Sequence, residues 1–440
     1  MKNVYSRGGV LIGNVPDTWT VNKTLRCLDM PITDGPHETP SAVDEIDGVP
    51  FVSAEAVSSG NGSIDFKHIW GFVSKEYYKE CCKKYIPRID DIYMIKSGAT
   101  TGKVAIVDTK RIFTIWSPLA VFRANTFIIK PKYLFYFLQS PMYLSQVELG
   151  WNYGTQQNIG MRALEQLYIS YPSLTAQQQI VHFLDRKCTA IDTAIEKTKQ
   201  SIEKLEEYKK AVITKAVTKG IDPNARMKDS GVEWCPQIPE HWSVVNPKAL
   251  FSQRTERILP GDKQLTASQE HGIIYQDEYT KATGSRVVAV IRDFSILKHV
   301  EPNDFVISMR SFQGGLEYSE KRGCISSAYV MLIPNTKYVY PPFYRWFFKS
   351  SKYINALQST SNFVRDGQAM RYSHFIQIPL FVIPLTEQKQ IANYLESKVN
   401  AIMALIQKKQ MAIAKWEEYK KSLIYYAVTG KIDCRNEVIE

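Results

Sequence analysis

The segment Gly98-Ala99-Thr100-Thr101-Gly102-Lys103-Val104 combines glycine, hydroxyl side chains and a lysine, which are residue types that bind phosphate groups. A nucleotide-binding loop has the form G-x-x-x-x-G-K-[ST], in which backbone amides surround the phosphates and the last hydroxyl binds magnesium. Here the loop is one residue short, and Val104 replaces the hydroxyl. We therefore reject nucleotide binding at this segment.

Other catalytic chemistries also lack a complete residue set. Tyr340-Pro341-Pro342-Phe343 resembles the Pro-Pro-aromatic tetrapeptide of amino-methyltransferases, but Tyr340 stands where those enzymes have Asn, Asp or Ser. No Gly-rich loop follows a strand-like run to hold an adenosyl cofactor, so the tetrapeptide predicts a helix start. Asp90, Asp91 and Glu320 are candidate nuclease metal ligands without a convincing partner set. We expect a non-catalytic chain with no metal site and no cofactor of its own.

Composition favours a globular protein with an anionic partner. The 440 residues are 44% hydrophobic and carry a net charge of +11, which suggests nucleic acid or a membrane surface as partner. No stretch reaches the roughly 18 apolar residues of a membrane span, so the membrane is disfavoured. The seven cysteines form no Cys-x-x-Cys pair, and reduced thiols in a cytoplasmic protein fit them best.

The chain contains a long internal repeat. Segments 173–222 and 384–433 align without a gap at an offset of 211 residues, with 24 of 50 positions identical. Average composition predicts roughly one match in fifteen, so the repeat indicates a duplication.

Both copies have the pattern of a long helix. Apolar residues recur at steps of three, four and seven, and form one stripe in each copy, which runs from Ile180 to Ala216 and from Ile391 to Ala427. Thr175 and Thr386 are the expected N-caps, and Gly220 and Gly430 the expected ends. Each helix would have about 44 residues and a length of roughly 66 Å. The alternatives are two helices that each pack on a globular core, or an antiparallel coiled coil about a pseudo-two-fold axis, which the equal lengths favour.

The regions between the helices predict two α+β domains. Val15-Pro16-Asp17-Thr18-Trp19 resembles Ile238-Pro239-Glu240-His241-Trp242 at the start of each region. Both regions have mixed character. Strand-like runs lie at 104–107, 287–291 and 305–308, and aromatic, helix-prone runs lie at 133–138 and 343–349. The predicted division is therefore domain 1–172, helix 173–222, domain 223–383, and helix with C-terminal tail 384–440.

The sequence resembles the specificity subunits of type I restriction–modification systems. The helical copies share the start Leu-Thr-x-Gln-x-Gln-Ile and the end Glu-Glu-Tyr-Lys-Lys, as that family's conserved helical regions do. The segments at 33–40, 304–315 and 325–329 resemble parts of its target-recognition domains, and 231–239 resembles the beginning of the second one. Each domain lacks the other's clearest motif, so the two domains are expected to read different sequences.

The resemblance implies a molecule that reads a bipartite site in double-stranded DNA. Each domain would read one half-site, and the helices would separate the half-sites by about one or more duplex turns of roughly 34–36 Å. The family also implies two methylation subunits, bound to the helices, and restriction subunits that act as motor and nuclease. Adenosylmethionine, ATP and magnesium are expected in those partner subunits.

Lysine and arginine suit phosphates and guanine, while asparagine and glutamine suit adenine, and these preferences select candidate contacts. The predicted DNA-binding residues of the first domain are His37, Lys96, Ser97, Thr100, Thr101, Lys103, Asn152, Thr155, Gln156 and Gln157, and those of the second are Arg310, Ser311, Gln313, Arg365, Gln368 and Arg371. The predicted partner-binding residues are Glu206, Tyr208, Lys209, Glu417, Tyr419 and Lys420. For each residue the alternative is a solvated loop or helix face.

Two other classes of function remain open at this point. One is a coiled-coil scaffold that binds only proteins, which would shift no duplex. The other is a self-contained nuclease or methyltransferase, which would be active alone with magnesium or adenosylmethionine.

Overall fold

The structure is a computed structural model that describes residues 1–6, 9–153, 157–269, 271–285, 294–308, 311–360 and 371–434, with backbone only at 152, 153, 294 and 312. The chain forms two compact units, Met1–Thr198 with Met411–Glu440, and Lys199–Gln410. Each unit contains a mixed helix and sheet domain and segments of two long helices, which confirms the predicted α+β class.

The first unit has thirteen strands among its described residues: β1 (Lys2–Tyr5), β2 (Leu11–Val15), β3 (Thr20–Lys23), β4 (Thr33–Asp34), β5 (Val49–Val52), β6 (Gly71–Val73), β7 (Ile92–Ile95), β8 (Val104–Ile106), β9 (Thr114–Ile115), β10 (Leu119–Phe122), β11 (Asn152–Tyr153), β12 (Gln157–Asn158) and β13 (Tyr168–Tyr171). Its short helices are α1 (Ala54–Ser59), α2 (Lys75–Lys84), α3 (Pro131–Leu138), α4 (Pro141–Leu149) and α5 (Met161–Glu165). The central sheet has the order β4-β10-β7-β8 and is antiparallel.

The long helix α6 (Leu174–Lys219) follows β13. It begins in the first unit and ends in the second.

The second unit has the strands β14 (Met227–Asp229), β15 (Gln237–Pro239), β16 (Ser243–Val245), β17 (Phe251–Arg254), β18 (Leu265–Ser268), β19 (Gly272–Tyr275), β20 (Lys298–Val300), β21 (Phe305–Ile307), β22 (Glu317–Tyr318), β23 (Gly323–Ile325), β24 (Val330–Pro334) and β25 (Leu380–Val382). Its helices are α7 (Gln276–Thr283), α8 (Ser311–Gly314), α9 (Pro341–Phe347), α10 (Ser351–Ser359), α11 (Tyr372–Phe375) and the start of the long helix α12 (Leu385–Val428). The sheet β17-β24-β21-β22 is again antiparallel and repeats the order of the first unit.

The strand-like runs at 104–107 and 305–308 form β8 and β21, and the two aromatic runs form α3 and α9. The run at 287–291 lies outside the described residues. Tyr340-Pro341-Pro342-Phe343 is a helix start as expected, because α9 begins at Pro341.

The two long helices are confirmed, but their predicted N-caps are wrong. Helix α6 begins at Leu174, where the Ser173 hydroxyl accepts a hydrogen bond from the Ala176 amide at 3.4 Å, so Thr175 lies inside the helix. Helix α12 begins at Leu385, one residue before Thr386. Both helices end before a glycine in the left-handed region, with φ of 72° at Gly220 and 68° at Gly430.

Within each unit the two helix segments run antiparallel. In the first unit Lys420 Nζ lies 2.7 Å from both carboxylate oxygens of Asp192, and the Val428 carbonyl lies close to β13, which precedes α6. In the second unit Lys209 Nζ lies 3.4 Å from Met403 Sδ, while Gly220 lies beside Glu387. The apolar stripe is buried along most of its length, but Trp416 is 41% exposed. No described helix is long and apolar enough to cross a membrane.

Candidate nucleic-acid interface

The turn after β7 carries most of the candidate residues of the first unit. The Thr101 hydroxyl donates to the Gly98 carbonyl at 2.7 Å, and the Gly102 amide donates to the Ile95 carbonyl at 2.8 Å. These bonds fold residues 96–103 into a compact turn, in which Ser97, Thr100 and Thr101 are half-buried. Lys103 is exposed, and its ammonium group lies 3.4 Å from the Ser58 carbonyl oxygen.

The β11–β12 hairpin packs directly against this turn. The Gly98 amide donates to the Gln157 carbonyl at 3.0 Å, and the Ile159 amide donates to the Lys96 carbonyl at 2.9 Å. Candidate residues about 60 positions apart therefore come together, and the Gln157 side chain is exposed beside the turn. The Asn152 side chain, Thr155 and Gln156 lie outside the described residues.

A buried carboxylate connects the turn to the third predicted segment. The Asp34 side chain is fully buried at the end of β4, and its Oδ1 accepts a hydrogen bond from Lys84 Nζ at 2.5 Å. Its Oδ2 lies 3.2 Å from Lys96 Nζ and 3.1 Å from His37 Nε2, in geometry that is electrostatic rather than hydrogen-bonded. The next residue along the chain is Gly35. A side chain is excluded there, because a Cβ atom would lie 2.0 Å from the Ile115 carbonyl oxygen.

The charge of Asp34 is maintained despite its burial. Burial raises the pKa of this carboxyl group, but the hydrogen bond from Lys84 and the positive charge of Lys96 outweigh that effect and hold the pKa below its ordinary value of 3.8. The pattern of one carboxylate with three basic side chains is called here the Asp34 cluster, and it consists of Asp34, His37, Lys84 and Lys96.

Two residues of this cluster were not predicted. Asp34 stands inside the 33–40 segment, and its position next to Gly35 in that segment was a signal that could have identified it. Lys84 is the last residue of α2, 50 positions further along the chain, and no local pattern distinguishes it from Lys83.

The second unit places its candidates around α8. Ser311 is buried, and its hydroxyl accepts a hydrogen bond from the Ser308 amide at 2.8 Å, so it shapes the turn after β21. Gln313 is exposed, and Arg371 is exposed immediately before α11. Arg310, Arg365 and Gln368 lie outside the described residues.

The candidate partner-binding residues divide into side chains that form an ion pair and exposed side chains that do not. Tyr208 and Tyr419 are at equivalent positions of the two helices, and each is 50% exposed. Glu417 is exposed, whereas Glu206 and Lys209 form an ion pair on α6. Lys420 is committed to Asp192. The two tyrosines are therefore the strongest candidates among the six.

The described residues hold no group of three or more His, Cys, Asp or Glu side chains arranged to bind a metal ion. Asp91, which we weighed as a nuclease ligand, is buried in a bidentate ion pair with Arg123, at 2.7 Å for both contacts.

Residues 39–207 match the family model of the type I restriction modification DNA specificity domain. This stretch contains the 96–103 turn and the β11–β12 hairpin. This part of the first unit is thus similar to the DNA specificity domains of type I restriction–modification systems.

Curated relatives extend the likeness to nearly the whole chain. The putative type I restriction enzyme MjaX specificity subunit of Methanocaldococcus jannaschii is 27% identical over 434 residues, covering 96% of this chain and 95% of the relative. The MjaVIII specificity subunit of the same organism is 23% identical over 447 residues, with 96% and 95% covered. The expected resemblance to specificity subunits is therefore confirmed.

A solved structure shows the same fold. This structure belongs to work on the structural basis of complex assembly and conformational transition of the type I R-M system. It matches this chain with a TM-score of 0.67 and 14% sequence identity. The match covers 96% of this chain and 100% of the chain in that structure.

Proposed function

We propose that this chain recognises a bipartite DNA sequence and directs methylation and restriction subunits to it, without catalysis of its own. The observation that carries the proposal is that the matched DNA specificity domain contains the 96–103 turn and the β11–β12 hairpin, which pack against each other in the first unit. Exposed glutamine and lysine side chains beside a folded turn can reach base edges and phosphates.

The second unit would read the other half-site. Its sheet repeats the strand order of the first unit, but the turn after β21 exposes Gln313, whereas the turn after β7 exposes Lys103. Different side chains on the same scaffold predict two different half-sites.

The test is a map of methylated adenines in the host genome. A strain that lacks this chain should lose methylation of one bipartite motif, and complementation should restore it. Persistence of every methylated motif in the deletion strain would contradict the proposal. A purified chain that shifts no duplex, even with its methylation subunits, would favour the protein-only scaffold.

The long helices would set the distance between half-sites. Removal of one heptad from both α6 and α12 preserves the apolar stripe and shortens each helix by about 10 Å. The mapped motif should then lose roughly three base pairs from its gap while both half-sites stay the same. An unchanged gap would contradict this role of the helices.

The methylation subunits would bind the exposed faces of the helices, and these subunits would supply adenosylmethionine. Tyr208→Glu together with Tyr419→Glu should abolish co-purification of the methylation subunits, because each tyrosine is half exposed at an equivalent position. The matched control is Glu207→Gln with Glu418→Gln, at the adjacent exposed positions. Equal co-purification of both double variants would place the partner surface elsewhere.

A further inference from the structure

The Asp34 cluster holds more positive charge than its carboxylate requires. One ammonium group neutralises one carboxylate, yet Asp34 contacts two, and an imidazole in addition. These three basic side chains come from three different elements, the loop after β4, the end of α2 and the turn after β7. A buried carboxylate that collects side chains from three elements fixes their positions relative to one another.

We propose that Asp34 positions Lys84, Lys96 and His37 to bind one phosphodiester group of the DNA backbone. The proposal rests on the proposed function and adds to it a new contact residue, Lys84, and a positioning residue, Asp34.

Exposure decides which members of the cluster meet the phosphate. The Lys96 side chain is 12% exposed, whereas Lys84 is 49% and His37 is 69% exposed. Lys84 and His37 would therefore contact the phosphate oxygens, and Lys96 would contribute its charge from behind them.

The adjacent cavity helps to locate the phosphate. This cavity of about 180 Å³ is lined by Glu38 and Glu80 together with Asp34 and Lys84. Three carboxylates make its interior unfavourable for an anion. The phosphate is therefore expected at the outer side of the cluster, where Lys84 and His37 are exposed.

The cluster is also tied to the candidate reading turn. The backbone of Lys96 accepts a hydrogen bond from Ile159, immediately after the β11–β12 hairpin. A phosphate bound at the cluster would fix the register of the turn and hairpin against the bases, which is the usual role of backbone contacts.

Lys83 provides a matched control for Lys84. It is the preceding residue of α2, it is 72% exposed, and it pairs with Glu80 in the solvent rather than with Asp34. Lys83→Gln and Lys84→Gln remove the same charge from adjacent positions of one helix.

The experiment measures binding of the full chain with its methylation subunits to two fluorescent duplexes, one with the mapped motif and one scrambled, from 50 to 200 mM salt. Lys84→Gln should weaken binding about fivefold to tenfold on both duplexes and lower the slope of log affinity against log salt by about 0.9. Lys83→Gln should leave the slope unchanged. Equal slopes for the two variants would overturn the phosphate site.

Asp34→Asn separates positioning from simple charge. The substitution raises the net charge by one, so long-range attraction alone predicts tighter DNA binding. The proposal predicts weaker binding, about tenfold, with the salt slope again lower, because Lys84 and His37 lose their fixed positions. Tighter or unchanged binding by a folded Asp34→Asn chain would refute the positioning role.

Asp34→Asn could fail to fold because the side chain is buried, and a melting curve detects this. In that case the Lys83 and Lys84 variants still decide the proposal, since both side chains are on the surface. Failure of the proposed function is recognised separately, because the unmodified complex would then bind neither duplex.

Discussion

The two units use the same hydrogen bond between a domain helix and the strand that leads into a long helix, but they neutralise their buried charges differently. The Tyr133 hydroxyl donates to the Ser170 carbonyl at 2.9 Å, and Tyr344, 211 residues later, donates to the Phe381 carbonyl at 2.8 Å. The duplication thus extends beyond the helices into the domains, where the sequences no longer align clearly. The junction between domain and helix has kept its contacts while the domains diverged.

Divergence is clearest around two equivalent aspartates. Asp91 and Asp304 each follow a residue with positive φ and precede β7 and β21, respectively. Asp91 is paired with Arg123, which follows β10, whereas Asp304 is paired with Arg254 at the end of β17. The need for a counter-charge is conserved, but the strand that supplies it is not.

Removal of these two arginines is expected to give the largest losses of stability. Arg254→Met should destabilise its unit by about 4 kcal/mol and Arg123→Met by about 3 kcal/mol, since loss of one partner leaves a buried charge. Asp91 would keep hydrogen bonds from the Tyr85 hydroxyl at 2.5 Å and the Arg88 amide at 2.8 Å.

Within the described part of the chain, Asp304 would keep only the hydrogen bond that its side chain accepts from the Glu301 amide at 2.9 Å. Burial raises the pKa of the Asp304 carboxyl group even with Arg254 present. Hydrogen exchange in urea, followed by mass spectrometry, assigns each loss of stability to its unit. A larger loss of stability for Arg123→Met than for Arg254→Met would contradict this prediction.

A second pair of variants should have equal effects. Gln177 and Gln388 are fully buried at equivalent helix positions. Each accepts a hydrogen bond from a backbone amide, of Lys130 or Tyr340, and donates to two carbonyl groups. Gln177→Leu and Gln388→Leu should each cost about 3 kcal/mol, because these backbone groups would be buried without partners.

The same hydrogen-exchange measurement tests this equality. Gln178→Leu and Gln390→Leu, at exposed positions of the same helices, serve as controls and should have little effect. A difference of more than about 1 kcal/mol between the two buried variants would show that the junctions are not equivalent.

Local patterns predicted the helices well, since periodic apolar residues and terminal glycines act within a few residues of each other. The N-cap of α6 was missed because Ser173 competes with Thr175 as a cap, and only the backbone geometry decides between them. Trp416 continues the stripe in sequence but is partly exposed.

The Asp34 cluster was predicted only in part, because its contacts join residues that are far apart in the sequence. His37 and Lys96 were selected by residue type, but the contact that joins them depends on Asp34 and on the pairing of β4 with β10. Lys84 and Arg254 are each 50 residues away from their aspartates. No spacing rule covers such contacts, because they are set by the way strands pair in the sheet.

The units also differ in their histidines, which predicts a difference in pH dependence. His37, His68 and His182 of the first unit are all exposed, whereas His299 of the second is buried with Nδ1 2.7 Å from Asp262 and Nε2 2.8 Å from Glu301. Burial lowers the pKa of His299, but the hydrogen bonds to both carboxylates outweigh it and raise the pKa above 6.5. Arg322 also faces both acids, at 3.5 and 3.7 Å.

A raised folded-state pKa means that protonation of His299 stabilises the second unit fully below pH 6.5, and that this stability is lost as pH rises through the folded-state pKa. His299→Gln should cost about 2 kcal/mol at pH 6 and less at pH 9. His68→Gln, which removes an exposed histidine of the first unit paired with Asp65, is the control and should leave the stability of the second unit unchanged. Equal losses for His299→Gln at both pH values would show that His299 is not charged.

The smallest predicted effect lies on the helices themselves. Asp192 and Met403 occupy equivalent positions of the repeat, so Lys420 has a carboxylate partner while Lys209 faces a thioether and pairs with Glu206 instead. Asp192→Met should therefore cost about 1 kcal/mol in the first unit. Met403→Asp should gain less than about 0.5 kcal/mol in the second, because the new carboxylate would compete with Glu206 for one ammonium group. A gain as large as the loss would mean that the Glu206–Lys209 pair contributes nothing to the stability of the second unit.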